Sequence, residues 1–298
     1  MDYGYLSRIR RYFFGYTLAE IYEEWSALKY PMISKGAVNS YEIAWNQCSK
    51  LHNEIFKDIK FKDWQSVISD LHDKGLHYSS HKKFKNLCGQ LCEYAIENEL
   101  ATSNYAPMLK LDRNKPIFKK QPFTEAEIRK LWTYEQRITG LDLILILILI
   151  YTGLRVGEFL RVNMENDVFL EDRFFIVRES KTEAGRNRTV PIHKDLIPFF
   201  RYRKKYEFLS TTRKGVRFKS YTRFRMFFTD AMEKLGMNHT IHETRHTCAT
   251  LLDSAEANDM AIKRILGHAG QGVTKKVYIH KTVEDLLKAI DLVKGRDI

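Results

Sequence analysis

The chain has 298 residues, which is enough for two domains and a substantial hydrophobic core. Its formal net charge of +12 predicts a polyanionic partner, and nucleic acid is favoured over an anionic membrane surface. The aromatic share of 13% argues against a disordered basic tail, so we expect the charge on a folded surface. The N-terminus lacks a signal peptide, and no cysteine pair has C-x-x-C spacing. We therefore expect a cytoplasmic, nucleoid-associated protein with reduced thiols and no membrane partner.

The first part of the chain predicts a helical domain over residues 1–105. Thr17 and Glu20 have the spacing of a capping box and precede apolar residues at helical spacing. Further helices are predicted over about 38–56, 63–74 and 79–98. The first turns of the last helix hold three cations, which oppose the helix dipole: Lys82, Lys83 and Lys85. We expect these lysines to bind nucleic-acid phosphates, with a solvated helix face as the alternative.

Residues 106–121 are predicted to be a basic linker. Prolines interrupt the segment, and lysines and arginines stand between them. A basic connection between two folded units suits a clamp around a rod of phosphates. Lys119 and Lys120 are its candidate contacts with nucleic acid.

Residues 122–298 predict a second domain, so the whole chain is expected to be mostly α with a small β-hairpin in its C-terminal domain. The domain opens with a capping box at Thr124 and Glu127. The run 141–150 is apolar on every face but for one aspartate, so it is a buried element, and Gly153 after it favours a helix over a strand. Strands are predicted over 174–177 and 189–192, with Lys181 at the mouth of their hairpin.

Basic and aromatic residues interleave over residues 201–225. On a folded surface this pattern is typical of a nucleic-acid-binding face, with some of the aromatic rings in the core. Arg223 and Arg225 are the candidate DNA contacts in this segment.

The segment 240–246 reads Thr-Ile-His-Glu-Thr-Arg-His and allows three interpretations. A capping box of Thr240 and Glu243 begins a helix, and His242 and Arg245 then share one face near its N-terminus, where a phosphate is the natural ligand. The same letters spell His-Glu-x-x-His, the zinc signature of a class of metalloproteases. An ordinary helix start is the third interpretation. These residues alone do not decide among them.

Four further motifs flank this segment. Upstream stand Thr152-Gly-Leu-Arg155-Val-Gly-Glu158 and then Lys181; downstream stand Leu266-Gly-His268 and, ten residues later, Tyr278. In this order the five motifs resemble the tyrosine recombinases, the phage-integrase-like site-specific recombinases. The resemblance covers about residues 122–283. The N-terminal helices are similar to the SAM-like core-binding domain of phage and conjugative-transposon integrases.

The resemblance implies a site-specific DNA recombinase, an integrase that integrates or excises a mobile element. It implies an active site made of Arg155, Lys181, His242, Arg245, His268 and Tyr278. The two arginines are expected to bind the non-bridging oxygens of one DNA phosphate and to stabilise its transition state. Glu158 is expected to hold Arg155 in place.

The remaining roles follow from the chemistry of the side chains. Tyr278 is the expected nucleophile, which forms a covalent phosphotyrosine. His242 is expected as the base or proton relay, and Lys181 as the acid for the leaving 5′-oxygen. His268 is expected to hydrogen-bond the phosphate. Because the tyrosyl link keeps the phosphodiester energy, the resemblance implies no cofactor, no metal and no ATP.

The resemblance also implies partners. Double-stranded DNA with core recombination sites is the expected substrate, and a homo-tetramer on two duplexes is expected to exchange strands through a Holliday junction. A DNA-bending or excision accessory protein is a further expected partner. Apolar residues at helical spacing after Thr282 predict a C-terminal helix. This helix is expected to pack on a neighbouring protomer, as in the family, with packing on its own domain as the alternative.

Three alternative functions are weighed against the recombinase. A type IB topoisomerase uses similar chemistry, but the Leu-Gly-His motif and the helical N-terminal domain favour recombination. A zinc metalloprotease explains neither the charge nor Arg155, Lys181 and Tyr278. A DNA-binding protein that has lost catalysis is disfavoured because all six catalytic positions are filled.

Overall fold

A computed structural model describes residues 15–111, 121–137, 142–268 and 282–298. The chain divides into two compact units, Met1–Phe118 and Lys119–Ile298. Within the described residues, none of the helices combines the length and the apolar character that a membrane span requires. All four cysteines are buried free thiols.

The first unit is helical. It contains α1 (Leu18–Lys29), α2 (Lys35–Gln47), α3 (Phe61–Asp73) and α4 (Tyr78–Glu97), with short 3-10 turns between them. The capping box predicted at the start of α1 is present. The Thr17 hydroxyl accepts a hydrogen bond from the backbone N–H of Glu20, and the Glu20 carboxylate accepts one from the backbone N–H of Thr17. Apolar stripes of the four helices meet in one core around Trp64. This core makes α4 the central helix of the unit.

The helix predicted over 38–56 ends earlier, at Gln47. A 3-10 turn follows at Ser49–Leu51, and the chain then runs back to the entry of α1. There the backbone N–H of Phe56 donates to the Tyr16 carbonyl at 2.8 Å. A continued helix would carry this segment away from that pairing, so tertiary contacts end the helix where the apolar spacing alone would prolong it.

The first residues of the segment predicted as a linker pack on the first unit. Ala106 and Leu109 are buried in its core. The Lys85 ammonium of α4 donates to the carbonyls of Pro107, at 3.1 Å, and of Leu109, at 2.8 Å. Residues 106–111 therefore belong to the helical unit, because these contacts hold them along α4.

The second unit is built around a helix that is buried on every side. It opens with α5 (Glu125–Arg137), α6 (Ile144–Thr152) and the single turn α7 (Val156–Phe159). All nine residues of α6 are buried, which confirms the interpretation of the apolar run as a central helix. Gly153 ends α6 at φ +61°, a conformation that suits glycine.

A three-stranded antiparallel sheet lies beside these helices. Its order is β1 (Val168–Phe169), β2 (Phe174–Val177) and β3 (Arg188–Pro191), with Phe175 opposite Val190. Strands β2 and β3 form the predicted hairpin. Strand β1 was not predicted, because a strand of two residues is too short to show a periodic pattern in the sequence. The mostly α fold with a small sheet in the C-terminal domain is confirmed.

The described residues of the rest of the unit include α8 (Ile197–Arg203), α9 (Tyr221–Lys234), α10 (Ile241–Ser254), α11 (Asp259–Leu266) and α12 (Val283–Asp291). Helix α12 packs on its own unit, against β3 and α11. Its apolar residues Leu286 and Ile290 lie in the same core as α6. Asp291 accepts two hydrogen bonds from Arg173, at 2.6 and 2.9 Å, which fix the end of the helix to the turn before β2.

Candidate active site

Helix α10 begins with the predicted capping box and carries two of the candidate residues. The Glu243 carboxylate accepts from the backbone of Thr240 and, at 3.1 Å, from the backbone N–H of Gln121. His242 is exposed in the first turn, and its ring meets the His246 ring edge-on, with the ring centroids 4.9 Å apart. The glutamate is thus engaged as a cap, which leaves it poorly placed as the free base that a zinc protease needs.

Arg245 lies one turn further on and is buried, with 5% of its surface exposed. Its guanidinium donates to the Gly153 carbonyl at 2.7 Å and to the Leu266 carbonyl. Burial, together with the neighbouring charges of Arg155 and Arg188, lowers the pKa of Arg245 to about 10, so the group stays cationic at neutral pH. Two carbonyls from separate segments therefore fix the direction of a buried cation.

Arg155 is held by a carboxylate on the next turn. Its Nη1 atom donates to Glu158 Oε1 at 2.9 Å, and its backbone N–H donates to Oε2 at 2.9 Å. Glu158 also accepts from the Ser180 hydroxyl, at 2.6 Å, and from Arg188 Nη2, at 2.8 Å. Four donors thus converge on one buried carboxylate, and the expectation that Glu158 holds Arg155 agrees with this geometry.

The charge of Glu158 is stabilised by these donors. Burial opposes ionisation, but the hydrogen bond and the charge of Arg188, with the bonds from Ser180 and Arg155, bring the pKa of the carboxyl down to about 2. Glu158 is therefore ionised over the whole physiological range.

Gly153 sets the approach of this segment to α10. A β-carbon at Gly153 would lie 2.6 Å from a methyl group of Leu266 and 3.0 Å from the sulfur of Cys248. The glycine therefore lets the end of α6 pass against α10 and α11. Because of this close approach, the Gly153 carbonyl accepts a hydrogen bond from Arg245. Gly153 stands two residues before Arg155, so the same short segment contacts one catalytic arginine and carries the other.

Lys181 lies on the connection between β2 and β3, and His268 lies just after the end of α11; these two segments are neighbours. Lys181 is exposed and follows Ser180, whose hydroxyl is bound to Glu158 and lies 3.3 Å from Arg155 Nη1. His268 follows Gly267, the left-handed residue that ends α11 at φ +64°. Partial burial and the nearby charges of Arg245, Arg155 and Arg188 lower the pKa of His268, which favours its neutral form.

The structure thus brings five of the six predicted catalytic residues to one region of the second unit: Arg155, Lys181, His242, Arg245 and His268. Tyr278 lies outside the described residues. In the described residues, no group of three or more histidine, cysteine, aspartate or glutamate side chains is arranged to hold a metal ion.

Sequence reasoning did not select Arg188, which is 4% exposed and bridges three segments. The sequence signal that could have identified Arg188 is the alternation of inward-facing and outward-facing residues along the return strand. Arg188 shares a strand face with Val190, which is buried, so the arginine had to face the interior and needed a carboxylate there. Glu158 is that carboxylate.

The predicted DNA-binding residues have different environments. Lys82 and Lys83 are exposed on α4, and Arg223 and Arg225 are exposed near the start of α9. Lys85 instead directs its ammonium to two backbone carbonyls, so its bonds serve the fold of the first unit. Lys119 and Lys120 lie outside the described residues.

Curated proteins are similar to this chain in sequence. The chain is 31% identical over 191 residues to tyrosine recombinase XerA of Pyrococcus horikoshii, with 61% of this chain and 65% of that protein covered. It is 29% identical over 161 residues to transposase A from transposon Tn554 of Staphylococcus aureus, with 48% of this chain and 44% of that protein covered. The chain thus spans less than two thirds of the length of these relatives.

Solved structures share the fold. The Tn1549 transposon integrase in complex with transposon right end DNA has a TM-score of 0.69 at 20% identity, covering 91% of this chain and 97% of that chain. A lambda integrase tetramer bound to a Holliday junction has a TM-score of 0.73 at 17% identity, covering 94% and 85%.

A family model confirms the resemblance given by the five motifs. Residues 121–285, more than half of the chain, match the model described as the phage integrase family. The matched span contains all six candidate catalytic residues. The chain belongs to the phage integrase family.

Proposed function

We propose that this protein is a site-specific DNA recombinase that cuts and rejoins DNA strands through a covalent 3′-phosphotyrosine intermediate. The observation that carries the proposal is the convergence of Arg155 and Arg245 with the Lys181 hairpin and His268. Two fixed guanidiniums offer paired donors to the two non-bridging oxygens of one phosphate, and paired donation is the geometry that arginine provides and lysine does not.

The reaction follows from this arrangement. The Tyr278 oxygen attacks the phosphorus, and the bond from phosphorus to the 5′-oxygen breaks. Arg155 and Arg245 stabilise the negative charge that grows on the phosphate oxygens, and removal of one such donor typically costs ~3–4 kcal/mol of barrier. His242 takes up the phenol proton, Lys181 protonates the leaving 5′-oxygen, and His268 donates a hydrogen bond to the phosphate.

The reverse reaction rejoins strands with the same groups. A 5′-hydroxyl attacks the phosphotyrosine, Tyr278 leaves, and the phosphodiester forms again. Since the tyrosyl link preserves the energy of the broken bond, these side chains need neither ATP nor a metal ion for the cycle. The capped state of Glu243 supports this proposal over the zinc protease.

We further infer the partners. Double-stranded DNA carrying core sites is the substrate, with contacts from Lys82 and Lys83 in the helical unit, from Arg223 and Arg225 in the catalytic unit, and from Lys119 and Lys120. The net charge of +12 supports this. A homo-tetramer on two duplexes, as the lambda integrase forms on a Holliday junction, is the proposed active assembly. A DNA-bending or excision protein assists it at the bacterial nucleoid, where a mobile element is integrated or excised.

The decisive experiment traps the covalent intermediate. Nicked duplex fragments lose a short 5′-hydroxyl strand after cleavage, so the protein stays attached, and denaturing gels followed by sequencing identify the DNA. Tyr278→Phe should bind the same fragments and give no adduct. Tyr134→Phe, a substitution of a tyrosine that is 37% exposed on α5, is the matched control and should give the wild-type adduct.

Other outcomes would decide against the proposal. Adduct formation by Tyr278→Phe at the wild-type rate would remove Tyr278 from its role. Relaxation of plasmids without any defined site would favour a type IB topoisomerase. Bound zinc together with peptide hydrolysis that chelation abolishes would favour the metalloprotease.

A further inference from the structure

Arg188, at the start of β3, connects three segments that each carry or adjoin a catalytic residue. Its Nη2 atom donates to Glu158 at 2.8 Å, its Nη1 atom donates to the Gly185 carbonyl at 2.9 Å, and its Nε atom donates to the Ile265 carbonyl at 3.1 Å. Gly185 belongs to the connection between β2 and β3, and Ile265 lies in the last turn of α11. One planar guanidinium therefore ties the hairpin to the end of α11.

Two glycines allow this contact to be close. A β-carbon at Gly267 would lie 2.9 Å from the α-carbon of Gly185 and 3.0 Å from Arg188 Cδ. A β-carbon at Gly185 would lie 2.3 Å from the Ser180 hydroxyl. The connection between the strands is thus packed against Gly267 on one side and against Ser180, the neighbour of Lys181, on the other.

We propose that Arg188 is a positioning residue for the general acid, because it fixes the Lys181 hairpin against the segment that carries His268. Since Lys181 is exposed, its own side chain does not fix its location. The bonds of Arg188 keep residues 180–188 at a constant distance from the end of α11. The ammonium of Lys181 and the imidazole of His268 are then held where both can contact the same phosphate. This role rests on the proposed function of Lys181.

The remaining contacts show why the effect is specific to the hairpin. Without Arg188, Glu158 keeps its bonds from Ser180 and from both donors of Arg155. Arg155 therefore stays held, whereas the hairpin keeps only the Ser180 bond to Glu158 and loses the bonds that Arg188 makes to Glu158, Gly185 and Ile265. Arg188→Lys keeps the positive charge, but one ammonium cannot reproduce three bonds in a fixed plane.

A substrate with sulfur at the 5′-bridging position tests this role directly. In the normal reaction the 5′-oxygen takes a proton as the bond from phosphorus breaks. A thiol has a pKa of ~8.5 and leaves as a thiolate, so it needs no acid. The modified substrate therefore restores cleavage when only the delivery of the proton is defective. Lys181→Ala is the reference for such a defect.

Single-turnover cleavage by the full chain is compared on both substrates. On normal DNA, Arg188→Lys should slow cleavage at least ~10-fold and no more than Lys181→Ala, since general acids contribute ~10²–10⁴-fold. On the sulfur substrate it should cleave within ~3-fold of the wild type. The double variant with Lys181→Ala should be no slower than Lys181→Ala alone, because both changes remove one effect.

Two further variants complete the test. Arg178→Lys is the matched control, because Arg178 also pairs with a carboxylate beside the same sheet, Asp167 at 3.0 Å, and it should cleave both substrates at wild-type rates. Thermal unfolding shows whether Arg188→Lys is folded. If it is not, Gly185→Ala forces the connection between the strands away from Ser180 while leaving Arg188 and the segment of His268 unchanged, and it should show the same selective rescue.

The outcomes separate this inference from the proposed function. Equal slowing of Arg188→Lys on both substrates, alongside rescue of Lys181→Ala, would overturn the inference alone. Failure of the sulfur substrate to rescue Lys181→Ala would overturn the role of Lys181, and the inference with it.

Discussion

Glu158 shows how a single residue holds several cations in place. It is 2% exposed, and it accepts hydrogen bonds from Arg155, Ser180 and Arg188. A buried carboxylate without such donors would be protonated or strongly destabilising. Here the donors come from α7, from the hairpin and from β3, so the ionised carboxylate joins three parts of the catalytic unit.

We predict that Glu158→Gln destabilises the protein in a pH-dependent way. The folded pKa of about 2 lies below the ordinary value of 4.5, so the carboxylate contributes stability above about pH 4.5 and loses it as the pH falls towards 2. This difference corresponds to roughly 3 kcal/mol. Urea unfolding should show a loss of that order at pH 7 and less than half of that loss at pH 3.

The matched control is Glu179→Gln, which alters a carboxylate that is 74% exposed and 3.4 Å from Arg161. Surface pairs of this kind contribute ~0–1 kcal/mol, so the control should change little at either pH. An equal loss for Glu158→Gln at pH 3 and pH 7 would contradict the ionised state of Glu158.

We predict that Arg245→Lys lowers cleavage by ~10²–10³-fold, the typical effect of removing one transition-state donor. An ammonium cannot keep both bonds of Arg245, to Gly153 and Leu266, and still fork onto a phosphate. Single-turnover cleavage of nicked DNA measures the rate, and a gel shift measures binding, which should change only a few-fold. Arg264→Lys, an exposed position on α11, is the control, and near-normal cleavage by Arg245→Lys would remove Arg245 from its role.

Motif spacing predicted individual residues well where chemistry fixes the residue type. The capping box at Thr240 located the start of α10 and thereby put His242 and Arg245 in the first turns. Strand alternation indicates that Arg188 faces inward, but its partners Glu158 and Ile265 are distant in sequence, and no local spacing identifies them. The charge of Lys85 is readable from the sequence, whereas the two backbone carbonyls that its ammonium binds are not.

At the scale of elements, α12 joins the core of its own unit. Ile290 is 1% exposed and Leu286 also 1%. The buried His193 supports this packing, since its Nε2 atom lies 2.9 Å from the Val293 carbonyl and fixes the chain after α12 to the segment before α8. The same apolar spacing would serve packing on a neighbour, so periodicity alone could not choose between the two.

We predict that Ile290→Ala lowers the free energy of unfolding by ~2–5 kcal/mol in dilute protein without DNA, as loss of a buried isoleucine does. Leu292→Ala is the matched control two residues away, because Leu292 is 56% exposed and should cost little. Urea unfolding at several protein concentrations measures both. An unchanged stability for Ile290→Ala, or a loss that depends on protein concentration, would place the helix on a neighbour.

Element boundaries were predictable where the backbone itself carries the signal. Helix α6 ends at Gly153, because glycine readily adopts the left-handed conformation of a helix end, and α1 begins after Thr17, because the threonine hydroxyl caps the helix N-terminus. The end of α2 was not predictable in this way, because it depends on the pairing of Phe56 with Tyr16, a contact between segments forty residues apart. Strand β1 has two residues and no periodicity to detect.

At the scale of the whole molecule, most of the excess positive charge lies in the second unit: residues 119–298 hold 33 lysines and arginines against 23 aspartates and glutamates, whereas residues 1–118 hold 16 against 14. Lys82 and Lys83 are exposed on the helical unit, and Arg223 and Arg225 on the catalytic unit. Each cation that neutralises a DNA phosphate releases a counterion, so binding should weaken steeply as salt increases. Net charge was readable from the sequence, whereas the exposure of particular lysines required the fold.

We predict that Lys82→Ala combined with Lys83→Ala weakens DNA binding and lowers the slope of log K against log salt by ~2, about one for each phosphate that is no longer neutralised. The matched control is Lys57→Ala combined with Lys62→Ala, which removes the same charge from two other exposed lysines of the helical unit. Long-range attraction falls equally in both double variants, so only direct phosphate contacts distinguish their slopes. Fluorescence anisotropy from 50 to 300 mM salt, on the order of conditions where such slopes are measured, compares them. Equal slopes for the two variants would show that Lys82 and Lys83 form a solvated face, and the DNA contacts of the helical unit would then lie elsewhere.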